Sequence, residues 1–163
     1  MADAKSAAAP LEIERKFLVH GKAWKEGAEA VSIRQGYLAS GERAVVRIRL
    51  KGDRGILTIK GRKAGISRLE LEYEIPTAEA ETLLDLCEGS LIEKTRYLKT
   101  AHGKLWEIDV FEGRNLGLIV AEIELEAEDE TFEVPDWVTR EVSDDPRYAN
   151  AALSQHPFTD WTD

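Results

Sequence analysis

From Leu11 onward, apolar and polar residues alternate in short blocks separated by breaks rich in Gly, Ser, Asp or Lys, the pattern of antiparallel β structure. Eight blocks are read, at residues 11–19, 32–38, 43–51, 55–62, 68–75, 91–99, 104–111 and 118–126. The breaks at Ala39-Ser40-Gly41, Gly52-Asp53-Arg54 and His102-Gly103 are short and turn-like, so strands two to four and six to seven are expected to pair as hairpins. One interruption follows Pro76. There Thr77 is read as an N-cap, with Glu79 and Glu81 in the first turn, Leu83, Leu84 and Leu86 as an apolar face and Gly89 as the stop, which predicts a helix. A second helix is expected over 146–153, after Asp144 and Asp145, and a short one within 22–30. Residues 1–9 and 157–163 read as loose ends, leaving a single domain over 10–156 without internal repeats.

The polar positions of these strands are nearly all charged, and each row tends to carry one sign. Glu12, Glu14 and Lys16 share a face, as do Arg47 with Arg49, Thr58 with Lys60, and Glu70 with Glu72 and Glu74. Lys94 and Arg96 share another, as do Glu107 with Asp109, and Glu122 with Glu124 and Glu126. Charged rows on strands are usually solvated faces. Eight strands also suffice for a barrel wide enough to hold side chains and one small ligand. The residues alone leave two designs open: an apolar interior with charges outside, or a polar lumen with the apolar set packed outward. The segregation of signs favours the second, because clustered carboxylates bind hard cations while neighbouring Lys and Arg bind phosphate oxygens.

Composition narrows the partners. The chain has 163 residues, one domain's worth, and 33% are charged, above the roughly 25% usual for globular domains. A net charge of -9 argues against nonspecific nucleic-acid or membrane-surface binding. The single Cys87 excludes an internal disulfide, no apolar run reaches membrane-spanning length, and MADAKSAAAP lacks the apolar core of a secretory signal; a cytoplasmic location is expected. Cys87 reads as an inert packed thiol, and His20, His102 and His156 lack metal-ligand spacing. Trp24, Trp106, Trp137 and Trp161 read as packing residues, Trp106 pointing outward opposite Glu107 and Asp109. Tyr37 is open between lumen and packing, and Arg147 with Tyr148 between closing one mouth and a surface role. Pairing of barrels into a homodimer is compatible with the sequence, although no stretch announces an interface.

At LEIERKFLV, the spacing Glu12-x-Glu14-x-Lys16 resembles the ExExK signature of the CYTH superfamily, the triphosphate tunnel metalloenzymes. The resemblance covers nearly the whole chain, through RQGYL (34–38), VRIRL (46–50), LTIKG (57–61), EKTRY (93–97), EIDVF (107–111), AEIELE (121–126) and EVSDDPRYAN (141–150). It is strongest toward the short bacterial inorganic tripolyphosphatases. It implies a mainly β fold, a closed eight-stranded antiparallel barrel or tunnel with a polar lumen and a few flanking helices.

By the same resemblance, Lys16, Arg47, Arg49, Lys60, Lys94 and Arg96 are expected to grip a triphosphate. Glu12, Glu14, Asp109, Glu122 and Glu124 are expected to hold Mg²⁺ or Mn²⁺, one ion at Glu122 and Glu124 and another near Glu12 and Glu14. Glu72 and Glu74 are taken as the lumen pair of their strand, Glu72 as a further ligand, with Glu70 at the rim. Glu12, Glu14, Lys16 and Glu124 are the expected catalytic group. The implied reaction is attack of water on a terminal phosphorus of tripolyphosphate, giving phosphate and pyrophosphate. Adenylyl cyclases, thiamine triphosphatases and RNA triphosphatases share the superfamily, so a nucleotide- or thiamine-triphosphate-using relative is the alternative, and a noncatalytic polyphosphate-binding barrel a third reading.

Overall fold

A computed structural model describes residues 9–162; all of the expected N-terminal extension but Ala9, and residue 163, lie outside the described residues. Nine strands are present among them: β1 (Leu11–Val19), β2 (Glu29–Ser40), β3 (Ala44–Lys51), β4 (Arg54–Gly61), β5 (Ser67–Ile75), β6 (Glu88–Ala101), β7 (Lys104–Phe111), β8 (Ile119–Glu124) and β9 (Val138–Glu141). The helices are α1 (Thr77–Leu84) and α2 (Asn150–Gln155). The strands run in the order β5-β4-β3-β2-β6-β7-β8-β1-β9, and a further β5–β1 pairing closes the first eight into an antiparallel barrel. That closure spans only Leu11↔Leu69, Glu12↔Arg68 and Ile13↔Ser67; farther along, β1 takes β9 as its neighbour. β2 carries irregularities on both edges around Tyr37, which bend a long strand as closure requires. Gly36 belongs to this bend: a Cβ there would stand 2.7 Å from the Cys87 Cβ.

The pleat sends most of the apolar set outward, where two covers bury it, and a third cluster lies at one end. Phe17, Trp106, Ile108 and Ile123 pack with Trp24 and Trp137 on one side. Ile48 and Leu50 of β3 receive Ala80 and Leu84 of α1 on another. The third cluster closes one end of the barrel: Phe111 and Val120, in phase with the charged rows of β7 and β8, meet Tyr37, Val142, Tyr148 and Leu153. Trp106 is fully buried, with its ring edge-to-face against Phe17, Phe132 and Trp137, an outward apolar residue covered by protein rather than water.

Several expectations are corrected. The second strand begins at Glu29, which reduces the helix expected within 22–30 to a 3-10 turn at Ala23–Lys25. Thr77 is not the N-cap of α1: Pro76 holds that position, and the Thr77 hydroxyl donates to the Asp53 carbonyl, tying the helix to the β3–β4 turn. Leu86 lies beyond the helix and is exposed, and Gly89 lies within the start of β6 instead of stopping α1. The helix expected over 146–153 is divided into a 3-10 turn at Pro146–Tyr148 and α2, because Ala149 is extended. β9 went unread because its four residues, VTRE, hold a single aliphatic side chain. Residues 157–162 are not loose. Trp161 stacks edge-to-face on Tyr148 and Phe158, and the Phe158 amide donates to Asn115 Oδ1.

Candidate active site

The end opposite the apolar closure opens into a cavity of about 480 Å³. Every sequence-predicted site residue except Asp109 lines it: Glu12, Glu14, Lys16, Arg47, Arg49, Lys60, Glu72, Lys94, Arg96, Glu122 and Glu124. The polar-lumen design is therefore the one adopted. Inward positions recur every second residue, and cross-strand pairing places Glu14 opposite Glu124, Lys16 opposite Glu122, and Arg47 opposite Thr58.

The basic arc comes from β3, β4 and β6. Arg96 is held by two carboxylates: Nε and Nη2 donate to Asp109 at 2.8 and 2.9 Å, and Nη1 donates to Glu107 at 2.7 Å. Those carboxylates outweigh the cost of burial and hold Arg96 well above its ordinary pKa. Lys94 is fully buried, with its ammonium 2.8 Å from Asp109 and donating to Asn150 Oδ1 at 2.9 Å. Burial, aided by Arg96 and Arg49 and opposed by Asp109, pulls Lys94 down to about 7. Asp109 sits behind this pair without exposure; despite burial, Lys94 and Arg96 keep its carboxyl below the usual range and ionised. Its oxygens are thus taken by two cations, an arrangement of counter-ion type.

Arg47 donates to Thr58 Oγ1 at 3.1 Å and lies 3.6 Å from Glu72, while its buried Nε has no partner among the described residues. Arg49 Nε donates to Gln35 Oε1 at 2.8 Å. No carboxylate of the described residues is within ion-pair distance of Arg49; burial first, then Arg47 and Arg96, lower it to about 9.

The acidic arc comes from β1, β7 and β8. Lys16 Nζ stands 3.7 Å from both Glu14 and Glu122, and Lys60 Nζ is 2.9 Å from Glu12 and 3.3 Å from Glu70. Burial alone would depress Lys16, but Glu122, Glu14 and Glu12 outweigh it and raise its pKa. Glu14 faces Glu124, and Glu107 faces Glu122, across adjacent strands, pairings that cost stability when nothing neutralises them. Glu124 shows that crowding: partial burial, then Glu107, Glu12, Glu14 and Glu122, raise its carboxyl. Glu12 is raised as well, by burial and its contact with Glu70. No preassembled group of three or more His, Cys, Asp or Glu in metal-binding geometry occurs among the described residues; Glu12 pairs with Lys60, and Glu14 and Glu122 each lie 3.7 Å from Lys16. The donor chemistry nevertheless fits a hard divalent cation: several anionic oxygens, mutually repelling, facing one cavity.

The β5 expectation is reversed for Glu70 and Glu74, while Glu72 does line the cavity. Glu70 is the deep residue, beside Lys60 and Glu12, and Glu72 lies half-exposed near Arg47. Glu74 pairs with Arg54 in solvent and lies outside the cavity. Glu126 falls beyond the end of β8. Sequence reasoning did not single out Gln35, Arg68, Glu107 or Asn150 as site residues, although the phase of β7 marks Glu107. Tyr37 does reach the cavity. From the C-terminal segment, the cavity receives Ala149, Asn150 and Ala151, whereas Arg147 turns outward to Asp145 and Trp161. The three histidines lie elsewhere, and the Cys87 thiol donates to the Leu83 carbonyl, with burial pushing its pKa up.

Comparison with known proteins converges on one group. Residues 10–151 match the family model described as the CYTH domain. An inorganic triphosphatase of Acetivibrio thermocellus is 51% identical over 148 residues, covering 90% of this chain and 95% of that protein. An inorganic triphosphatase of Nitrosomonas europaea is 40% identical over 148 residues, covering 88% and 96%. The crystal structure of the inorganic triphosphatase NE1496 superposes with a TM-score of 0.66 at 38% identity, covering 88% of this chain and 93% of that one.

Proposed function

This chain belongs to the CYTH domain family, and we propose that it is an inorganic triphosphatase, which splits tripolyphosphate into phosphate and pyrophosphate. The observation that carries this reading is Arg49, a buried guanidinium without a carboxylate partner among the described residues, in a cavity where Lys16, Arg47, Lys60, Lys94 and Arg96 converge. Burying a cation unpaired is costly. A linear polyanion lying along β3, β4 and β6 repays that cost, and the two relatives named inorganic triphosphatase support the choice of anion.

The reaction forms a bond from water oxygen to a terminal phosphorus and breaks the bridging P–O bond. Phosphoryl transfer asks the protein chiefly for alignment and charge neutralisation. Lys16, Arg47, Arg49, Lys60, Lys94 and Arg96 fix the chain of phosphates in line and stabilise negative charge on the departing pyrophosphate. Asp109 acts as the buried counter-ion that orients Lys94 and Arg96. Catalysis in this family depends on a divalent metal. Glu12, Glu14, Glu122 and Glu124, with Glu72 at the rim, are the residues to hold Mg²⁺ or Mn²⁺, whose chemistry is to neutralise phosphate oxygens and acidify water. Among the described residues no helix is long and apolar enough to cross a membrane, and the acidic chain with its lone Cys87 supports a cytoplasmic location.

The test is phosphate release from tripolyphosphate, ATP and thiamine triphosphate in parallel, with Mg²⁺, Mn²⁺ or chelator. Tripolyphosphate turnover exceeding the other two, and lost in chelator, is expected. Binding without turnover under either metal would overturn the reading in favour of a sequestering barrel, and cyclic AMP with pyrophosphate from ATP in favour of a cyclase.

A further inference from the structure

Arg96 and Arg49 face the same cavity from different strands, yet they are held in opposite ways. Arg96 is clamped by a carboxylate, Asp109. Arg49 is held by an amide: Gln35 Oε1 accepts from Arg49 Nε at 2.8 Å, and Gln35 Nε2 donates to Tyr37 Oη at 3.0 Å. Gln35 sits directly opposite Arg49 in the β2–β3 register and is fully buried. It does not line the cavity, whereas Arg49 and Tyr37 do. Neither Nη of Arg49 has a protein partner among the described residues, so the end of the guanidinium suited to bidentate phosphate contact is left open.

We propose that Gln35 is a positioning residue that aims Arg49 at the phosphate chain through a neutral oxygen, leaving the guanidinium charge uncompensated until substrate arrives. This rests on the triphosphatase reading and names a residue outside the cavity wall that sets affinity for its anion. The choice of amide matters. A carboxylate in the same place would satisfy the same geometry, since Tyr37 can turn its hydroxyl to donate to it, but it would cancel the positive charge at short range. Arg49 remains cationic at neutral pH even though burial, Arg47 and Arg96 lower it to about 9.

The substitutions Gln35→Glu and Gln35→Met separate aim from charge. Met keeps the approximate shape and removes the oxygen; Glu keeps every hydrogen bond and adds the charge. Expected KM for tripolyphosphate rises in the order wild type, Gln35→Met, Gln35→Glu, by about tenfold for Met and up to about a hundredfold for Glu, the range of hydrogen bonds to charged groups. kcat changes less than KM, and Gln35→Glu melts no lower than Gln35→Met. A merely structural Gln35 predicts the reverse order, with the hydrogen-bonding Glu nearer to wild type; that order would overturn the proposal. In an Arg49→Ala background, Gln35→Met should leave KM within about twofold, and a full effect there would also overturn it. If Gln35→Glu does not fold, the Met cycle decides alone. Calorimetric binding of tripolyphosphate in chelator reads the same ordering without turnover. A wild type that binds but releases no phosphate therefore sinks the triphosphatase reading while leaving Gln35 testable.

Discussion

The two ends of the barrel lumen are built on the same strands in the same pleat phase, yet one is a charge network and the other an apolar closure. Two residues along β7 take the inward row from Asp109 to Phe111, and two residues along β8 take it from Glu122 to Val120. At the closed end Tyr148, Leu153 and Val142 complete the packing; at the open end, side chains of both signs wait for ligand. On the proposed reading, a linear substrate enters from the open side and is stopped at the apolar closure. The closed end contributes stability, the open end chemistry, and Asp109 stands at the border of the two.

The hardest test of that division is the border itself. Replacing Asp109 with Ala leaves Lys94 and Arg96 buried without their shared counter-ion, and breaking a buried pair from one side costs about 3–5 kcal/mol. Chemical denaturation should show that loss together with lost activity. A stable, active Asp109→Ala protein would mean that water or another anion replaces the carboxylate and that the border is not a structural element.

At the open end, Glu124→Gln removes one charge from a crowded set of carboxylates. Activity is expected to fall about a hundredfold, in line with the loss of a cation-binding oxygen, while thermal stability holds or rises because like-charge repulsion is relieved. At the closed end, Leu153→Ala should do the opposite. It removes a fully buried side chain at a cost of about 2–4 kcal/mol, with KM for tripolyphosphate near wild type at temperatures where the protein stays folded. If Leu153→Ala raised KM as strongly as it lowered the melting point, the closure would be part of the binding site after all.

How much of this was legible in sequence follows the same division. The charged rows were readable because period-two alternation fixes a face, and β1 and β7 match their expected bounds. The side of the wall on which that face lies was not readable, since alternation is unchanged when a sheet is turned inside out; the family resemblance supplied it. On β5 three glutamates in phase could not be ranked by depth, because their partners, Lys60 inside for Glu70 and Arg54 in solvent for Glu74, are set by cross-strand pairing that the pattern does not show. Gln35 and Asn150 were passed over because neutral amides carry no charge signal. Their importance lies in buried partners, Arg49 and Lys94, brought close only by folding. β9 pairs only with β1 and is four residues long, too short to display a period.

The smallest expected effect sharpens the comparison within the open end, between its basic and acidic arcs. Burial, with Arg96 and Arg49 nearby, holds Lys94 at about 7, against an ordinary 10.5. Between those values the folded protein has released a proton that the unfolded chain keeps, so this group's linkage makes stability rise with pH across that window. A polyphosphate beside the ammonium favours the charged form and reverses the release. Tripolyphosphate binding in chelator at pH 8 should therefore take up protons, by up to about one more than in Lys94→Met, and the difference should fade at pH 6, where Lys94 is already charged. The acidic arc has the opposite sign: Glu124 is raised by burial and its carboxylate neighbours, so divalent cation binding should expel protons, increasingly as the pH is lowered. Titration calorimetry in buffers of different ionisation enthalpy counts both. Equal proton uptake by wild type and Lys94→Met at pH 8 would show that the buried ammonium is already charged before substrate arrives, and that Asp109 compensates Lys94 as fully as it does Arg96.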